Sequence, residues 1–343
     1  MVLKQNVYLK LWIFRYDRYR ADTEVAPTKR KKMYSLKRYF PIVIALIIVF
    51  IGALWTVHKK NSSKVQEKPF NIGTFTRTRG CARHPNFLAK LRVPQPVAID
   101  LSQKRYKGLA FLYGRELNQA VHLKTWEEFD YFSTYALDPK GNIYLTPMPF
   151  VSVKEKTFEF QKNIYFLDSN SGNLSVWMSL DEVRATPNNP FGVIAVVYDC
   201  DDSTIWVSTI DESSYDKGRG VIYHIDIASK KILQSVKGVD ALSLTLLKSS
   251  KGKFLLMGDA RKSQLLAIEI REGRALDNPI KLLKLPNTLE HIRKIKVRGE
   301  NLLELQTIPF SYTLIAQTSG EDDRRYYRAI WNSATLSWEI ENK

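Results

Sequence analysis

The chain has 343 residues, of which 44% are hydrophobic, 12% aromatic and 25% charged, and its formal net charge is +17. That is globular composition, and it excludes a mainly disordered chain, a collagen-like repeat and a long coiled coil. Only two cysteines are present, which excludes a disulfide-framed scaffold and a four-cysteine zinc site.

Residues 1–39 read as a basic cytoplasmic tail, since residues 1–40 carry 11 Lys/Arg against 3 Asp/Glu. Met33 opens MYSLKRYF ahead of an apolar run, the basic-then-apolar order of an export signal. The sequence therefore leaves open whether translation starts at Met1 or at Met33, with 1–32 an over-extended start. From Phe40 to Val57 the 18 residues FPIVIALIIVFIGALWTV hold no charge. At ~1.5 Å per residue such a helix spans roughly 27 Å, the hydrocarbon thickness of a bilayer. Tyr39, Phe40 and Trp55 sit where interfacial aromatic anchors belong. Six cations (Lys29, Arg30, Lys31, Lys32, Lys37, Arg38) precede the run and four (Lys59, Lys60, Lys64, Lys68) follow it. That asymmetry predicts a single-pass signal anchor with its N-terminus inside and the bulk of the chain extracytoplasmic. Residues 58–69, HKKNSSKVQEKP, read as a polar tether.

Residues 70–343 read as one all-β domain. Five phrases share a pattern of apolar run, polar turn and second β-rich run: VAIDLSQKRYKGLAFLY (97–113), YALDPKGNIYL (135–145), VVYDCDDSTIWV (196–207), LTLLKSSKGKFLLM (244–257) and IRKIKVRGENLLEL (292–305). A further strand pair follows several of them, as in NIYFLDSNSGNLSVW (163–177) and VIYHIDIASKKILQSV (221–236). Four antiparallel strands repeated every ~40–50 residues is the grammar of a β-propeller blade. The pattern predicts five or six blades. The sixth would be completed by strands from 70–96 together with the C-terminal WNSATLSWEIE.

The densest phrase, NNPFGVIAVVYDCDDSTIWVSTIDESSYDKGRGVIYHID (188–226), resembles the six-bladed propellers of the NHL-repeat and gluconolactonase/regucalcin-like group. That resemblance implies a divalent cation in the central cavity, held by Glu, Asn and Asp side chains. Asn189 (or Asn188) and Asp211 occupy the nearest positions, so Ca²⁺ or another divalent cation would be the cofactor. Pro190-Phe191 separates the asparagine from Gly192, and no equivalent of the family's glutamate ligand is found.

Among other candidates, Asp211, Glu212 and Asp216 in the loop DESSYDKGRG form the best ligand-binding group, because loops at one end of a propeller line its working face. Asp199, Asp201 and Asp202 lack calcium-loop spacing and read as a solvated turn. The sequence leaves open whether Cys81 and Cys200 are free buried thiols or a bridge. No phosphate-binding loop, dinucleotide fingerprint or Gly-x-Ser-x-Gly is present, which argues against nucleotide chemistry and ordinary serine hydrolysis. Nucleic acid is excluded as a partner, because residues 97–343 are balanced at 32 Lys/Arg against 31 Asp/Glu. The expectation is a membrane-anchored extracytoplasmic binding or scaffold module for a peptide, glycan or protein, without a cofactor. The alternative is a metal-dependent lactonase or related hydrolase using Asn189 and Asp211.

Overall fold

The structure is a computed structural model. It describes residues 70–76, 80–102, 104–129, 131–149, 158–276, 278–313 and 323–343. The apolar segment 40–57, the basic tail and the tether all lie outside the described residues. Among the described residues no helix is long and apolar enough to cross a membrane.

Among the described residues twenty strands form five antiparallel sheets. Sheet one has three: β1 (Ala98–Asp100), β2 (Ala110–Tyr113) and β3 (Gln119–Val121). Sheet two orders β4 (Phe132–Leu137), β5 (Ile143–Pro147), β6 (Asn163–Leu167) and β7 (Leu174–Ser179). Sheet three orders β8 (Val193–Asp199), β9 (Thr204–Thr209), β10 (Val221–Asp226) and β11 (Ile232–Lys237). Sheet four holds β12 (Ala241–Ser249), β13 (Gly252–Asp259) and β14 (Gln264–Arg271), flanked by β15 (Arg274–Ala275) and β16 (Ile280–Lys284), both paired with β14. Sheet five orders β17 (Glu290–Gly299), β18 (Leu302–Pro309), β19 (Arg325–Asn332) and β20 (Ser337–Asn342). This is a five-bladed β-propeller, so the sequence's five repeat units are its five blades. One short helix, α1 (Asn86–Lys90), precedes β1.

Apolar clusters fill the wedges between successive blades. Phe111 packs with Ile143 and Leu145, Tyr144 with Val207, Trp206 with Leu255, and Leu256 with Leu305. Second strands such as β9 are buried at every position, because a neighbouring sheet covers each face. The outer strand β11 is largely exposed.

Around the axis, hydroxyl groups tie blades two, three, four and five in succession. Thr146 Oγ1 donates to Ile194 O (3.1 Å), Ser208 Oγ to Ala241 O (2.8 Å) and Ser243 Oγ to Ile292 O (2.8 Å). Gly258 follows the same logic by subtraction, since a Cβ there would lie 2.1 Å from Ile292 O.

No sixth blade forms among the described residues. The C-terminal phrase completes sheet five as β19 and β20. Residues 70–76 and 80–92 run instead along the face that carries the β8–β9-type turns, as a strap. Phe75 N bonds Asn301 Oδ1 (2.9 Å), and Phe75 O accepts Asn301 N (2.8 Å) at blade five. Thr74 pairs in the same reciprocal way with Ser250 of blade four. Cys81 is bonded to Cys200 of blade three, the alternative that the sequence left open. Arg83 N then donates to Asp138 O, and Phe87 N to Ser169 O, both in blade two. The sequence of this strap alternates poorly because its groups pair with five separate turns rather than with one strand. Apolar Ile72 and Phe75 are nonetheless fully buried.

Candidate functional site

The opposite face gathers the β9–β10, β13–β14 and β18–β19 loops, together with the connections from one blade to the next. There the sequence-derived candidates separate. Asn189 is buried and its amide is fully engaged: Nδ2 donates to Ile210 O (2.6 Å) and Ser213 O (3.0 Å), while Oδ1 accepts Phe191 N–H (3.1 Å). It clamps the loop rather than facing an open cavity. Asp211 accepts the Arg184 N–H at 2.9 Å, and burial raises its carboxyl above the ordinary range. Glu212 is exposed with a positive φ of 54° and lies 3.7 Å from Arg219. Asp216 points outward, its carbonyl meeting Arg261. The three acids do not converge. Among the described residues no group of three or more His, Cys, Asp or Glu side chains could hold a metal ion, and Asn189 and Asp211 as placed do not fit the cation that the family resemblance implies.

Asp199, Asp201 and Asp202 lie on the strap face. Asp201 and Asp202 stand in an exposed turn, as read, and Lys253 Nζ sits 2.5, 2.9 and 3.6 Å from the three carboxylates. Lys248 also bonds Asp201, and these cations hold the Asp201 carboxyl below its usual range. Asp199 itself is buried.

What organises the loop face is Asp240, a residue sequence reasoning passed over. Its Oδ1 accepts Gly220 N–H (2.7 Å) and the Ser213 hydroxyl (2.8 Å), and its Oδ2 accepts the Tyr312 hydroxyl (2.6 Å). Loops of blades three and five are thus drawn onto the first residue before β12. Gly220 makes the approach possible, because a Cβ there would meet Asp240 Oδ1 at 2.5 Å. Burial first, then the bond to Asp240, pushes the Tyr312 phenol far up, so it stays protonated and donating.

Around this clamp the rings of Tyr215, Tyr312, Phe310 and Phe191 form a chain with centroids 5.1–5.3 Å apart. Tyr215 is exposed and its hydroxyl donates to Phe310 O. His291 packs edge-on to Phe310 at 5.9 Å, and its Nδ1 bonds Asp259 O (3.2 Å). Burial lowers the His291 pKa, which keeps the ring neutral at pH 7, and raises that of Asp259. Deeper on the axis, Arg293 donates to Leu242 O (2.8 Å) and to the Ser133 hydroxyl, linking β17, β12 and β4. The result is a braced aromatic mouth in which Phe191, Tyr312 and His291 are buried, Phe310 is half-buried and Tyr215 is exposed. The exposed Tyr215 ring suits stacking against a sugar or a peptide side chain.

A second hollow, of about 580 Å³, opens on the strap face between blades two and three beside Tyr144, Phe166, Trp177 and Tyr198. Its acids are spent locally: Asp138 bonds Lys140 N, Asn142 N and Asn142 Nδ2, and Asp226 bonds Ser229. Aromatic residues of WEEFDYF pack inside the fold, with Trp126 and Phe132 buried between blades one and two.

No protein-family model and no curated protein matches the chain. Among solved structures it is similar to a GH43 beta-1,3-galactosidase bound to galactodeoxynojirimycin, at TM-score 0.38 and 11% identity over 61% of this chain and 75% of that one. It is similar also to a glucose dehydrogenase (TM-score 0.35, 12% identity, 76% and 79% covered) and to the PQQ-bound aldose sugar dehydrogenase of Streptomyces coelicolor (0.24, 10%, 73% and 100%). Nothing is carried from these proteins to this chain; the blade assignment rests on its own sheets.

Proposed function

We propose that this chain is a single-pass membrane protein whose propeller stands on the extracytoplasmic side and binds a peptide, glycan or protein partner at its loop face. The observation that carries this reading is the division of labour between the two faces. The strap occupies one, while Asp240 braces an aromatic mouth on the other. Support for the compartment comes from the Cys81–Cys200 bond, since such bonds persist where the surroundings are oxidising. Support for the anchor comes from the uncharged run 40–57 and its flanking cations.

Metal-dependent hydrolysis through Asn189 and Asp211 is the weaker reading. Asn189 would have to surrender three internal hydrogen bonds, and each buried group left unpaired costs about 1–3 kcal/mol.

The test places a photo-crosslinking benzoylphenylalanine at Tyr215 on the mouth or at Lys230 on the strap face, in the full chain in its native membrane. A partner captured at position 215, and lost when Asp240 is replaced by Asn, supports the proposal. Equal capture at both positions contradicts it.

A further inference from the structure

Sheet five buries one face and leaves the other open. Ile292, Ile295, Leu303, Leu305, Tyr327 and Trp331 pack toward sheet four. Strand alternation therefore turns the intervening residues the opposite way. Among the described residues no apolar cluster joins sheet five to sheet one. The open face is charged instead. One cross-strand row reads Lys296, Glu304, Arg328, Glu341, and the next begins Lys294, Gln306, Tyr326. Arg298 and Lys343 join the first row by bonding Glu304 at 2.8 and 2.6 Å, and Lys296 lies 3.8 Å from the same carboxylate.

Five cations thus face three carboxylates, Glu304, Glu341 and Glu339, the last of which accepts the Asn332 amide. Glu304 already serves three of them, and Arg298 and Lys343 hold its pKa down to about 2. Lys294 faces Gln306 rather than an acid. Desolvation and the nearby cations Lys296, Arg293, Arg298 and Arg324 lower the Lys294 pKa. Like charges held this close on a rigid sheet cost free energy that an arriving anion recovers.

We infer that the open face of sheet five is a docking surface for an extended acidic peptide segment of a protein partner, with Lys294 and Lys296 as its anchoring cations. The spacing selects this occupant. Lys294 and Lys296 are two residues apart on a regular stretch of β17, roughly 6.6 Å at ~3.3 Å per residue. An extended peptide with carboxylates at alternate positions repeats at the same distance on one side. A peptide with its acids in adjacent pairs turns half of them away. This surface is separate from the aromatic mouth, so either proposal stands without the other.

The experiment uses the full chain in detergent and a fluorescein-labelled decapeptide of alternating Glu and Val, read by fluorescence anisotropy. Saturable binding is expected, weakening as salt is raised. The double substitution K294E/K296E should weaken it at least about tenfold, a loss of ~1.4 kcal/mol. Lys294→Gln alone, at an exposed position, should give a smaller loss with unchanged melting temperature. Lys230→Glu on the other face should have no effect. The inference is overturned by unchanged affinity in the Lys294 variants, or by equal binding of a peptide with its glutamates in adjacent pairs. It is overturned equally if millimolar inorganic phosphate displaces the peptide completely, which would mark a small-anion site.

Discussion

Cys81 and Cys200 lie 119 residues apart in the chain, yet their Cα atoms are 5.8 Å apart and their sulfurs are bonded. The bond fastens the middle of the strap to blade three, between its backbone pairings with blades four and five and those with blade two. A ring whose first and last blades share no apolar wedge among the described residues is thereby closed across one face. In the chain-entropy picture a closed loop of this length contributes about 5 kcal/mol. Cys81→Ser with Cys200→Ser, or reduction of the native chain, should therefore lower the urea midpoint strongly. Unfolding curves with and without reductant check this, and coincident curves would remove the bond from the account.

The glycine at 258 should be intolerant. Its neighbour across the wedge is Ile292 O, 2.1 Å from where an alanine Cβ would stand. Gly258→Ala forces β13 and β17 apart and should cost about 1–3 kcal/mol. Gly238→Ala has open space around it but a φ of 80°, so it should cost only backbone strain of about 1–2 kcal/mol. Denaturant midpoints of the two variants separate crowding from strain.

Removing the Tyr312 hydroxyl should loosen the mouth more than the fold. Tyr312→Phe leaves Asp240 Oδ2 without its 2.6 Å donor, worth about 1–3 kcal/mol at a buried carboxylate. Amide hydrogen exchange should speed up at Gly220 and Arg219, the donors that Asp240 and Ser213 hold. Unchanged protection there would show that the loop is held by other contacts.

Acid should weaken the fold through its histidines. Burial lowers the pKa of both His224 and His291 below the ordinary 6.5. As pH falls through that ordinary value the unfolded chain takes up protons the folded chain refuses, so stability declines. Asp211 and Asp259, with raised pKa values, act in the opposite sense at lower pH. They bind protons in the folded chain first, and their burial penalty is relieved. The urea midpoint should drop between about pH 7 and 5.5, and the slope should flatten in a His224→Gln, His291→Gln double variant. An unchanged slope in that variant would assign the acid sensitivity elsewhere.

The blades were legible because hairpin chemistry is local. Asp138-Pro-Lys-Gly-Asn142 folds as its residues require, with Gly141 at φ 84° and the Asp138 carboxylate accepting two turn amides. The strap was not legible, since Phe75 with Asn301 and Cys81 with Cys200 are partners hundreds of ångströms apart in an extended chain. The acids that the sequence singles out do not gather in space for a similar reason. Asp211, Glu212 and Asp216 cluster in sequence and diverge in space, whereas Asp240 stands alone in sequence and joins Ser213, Gly220 and Tyr312. A lone aspartate just before an all-apolar strand start is the one signal that could have drawn notice.

The central claim is that the loop face looks outward from the membrane into an oxidising compartment. The direct measurement is labelling of an Asp216→Cys variant, in cells stripped of any outer wall, with a thiol reagent that cannot cross membranes. The account predicts labelling at position 216 in intact cells and none in the unsubstituted chain, whose two cysteines are bonded to each other. Labelling of position 216 only after the cells are broken open would contradict it.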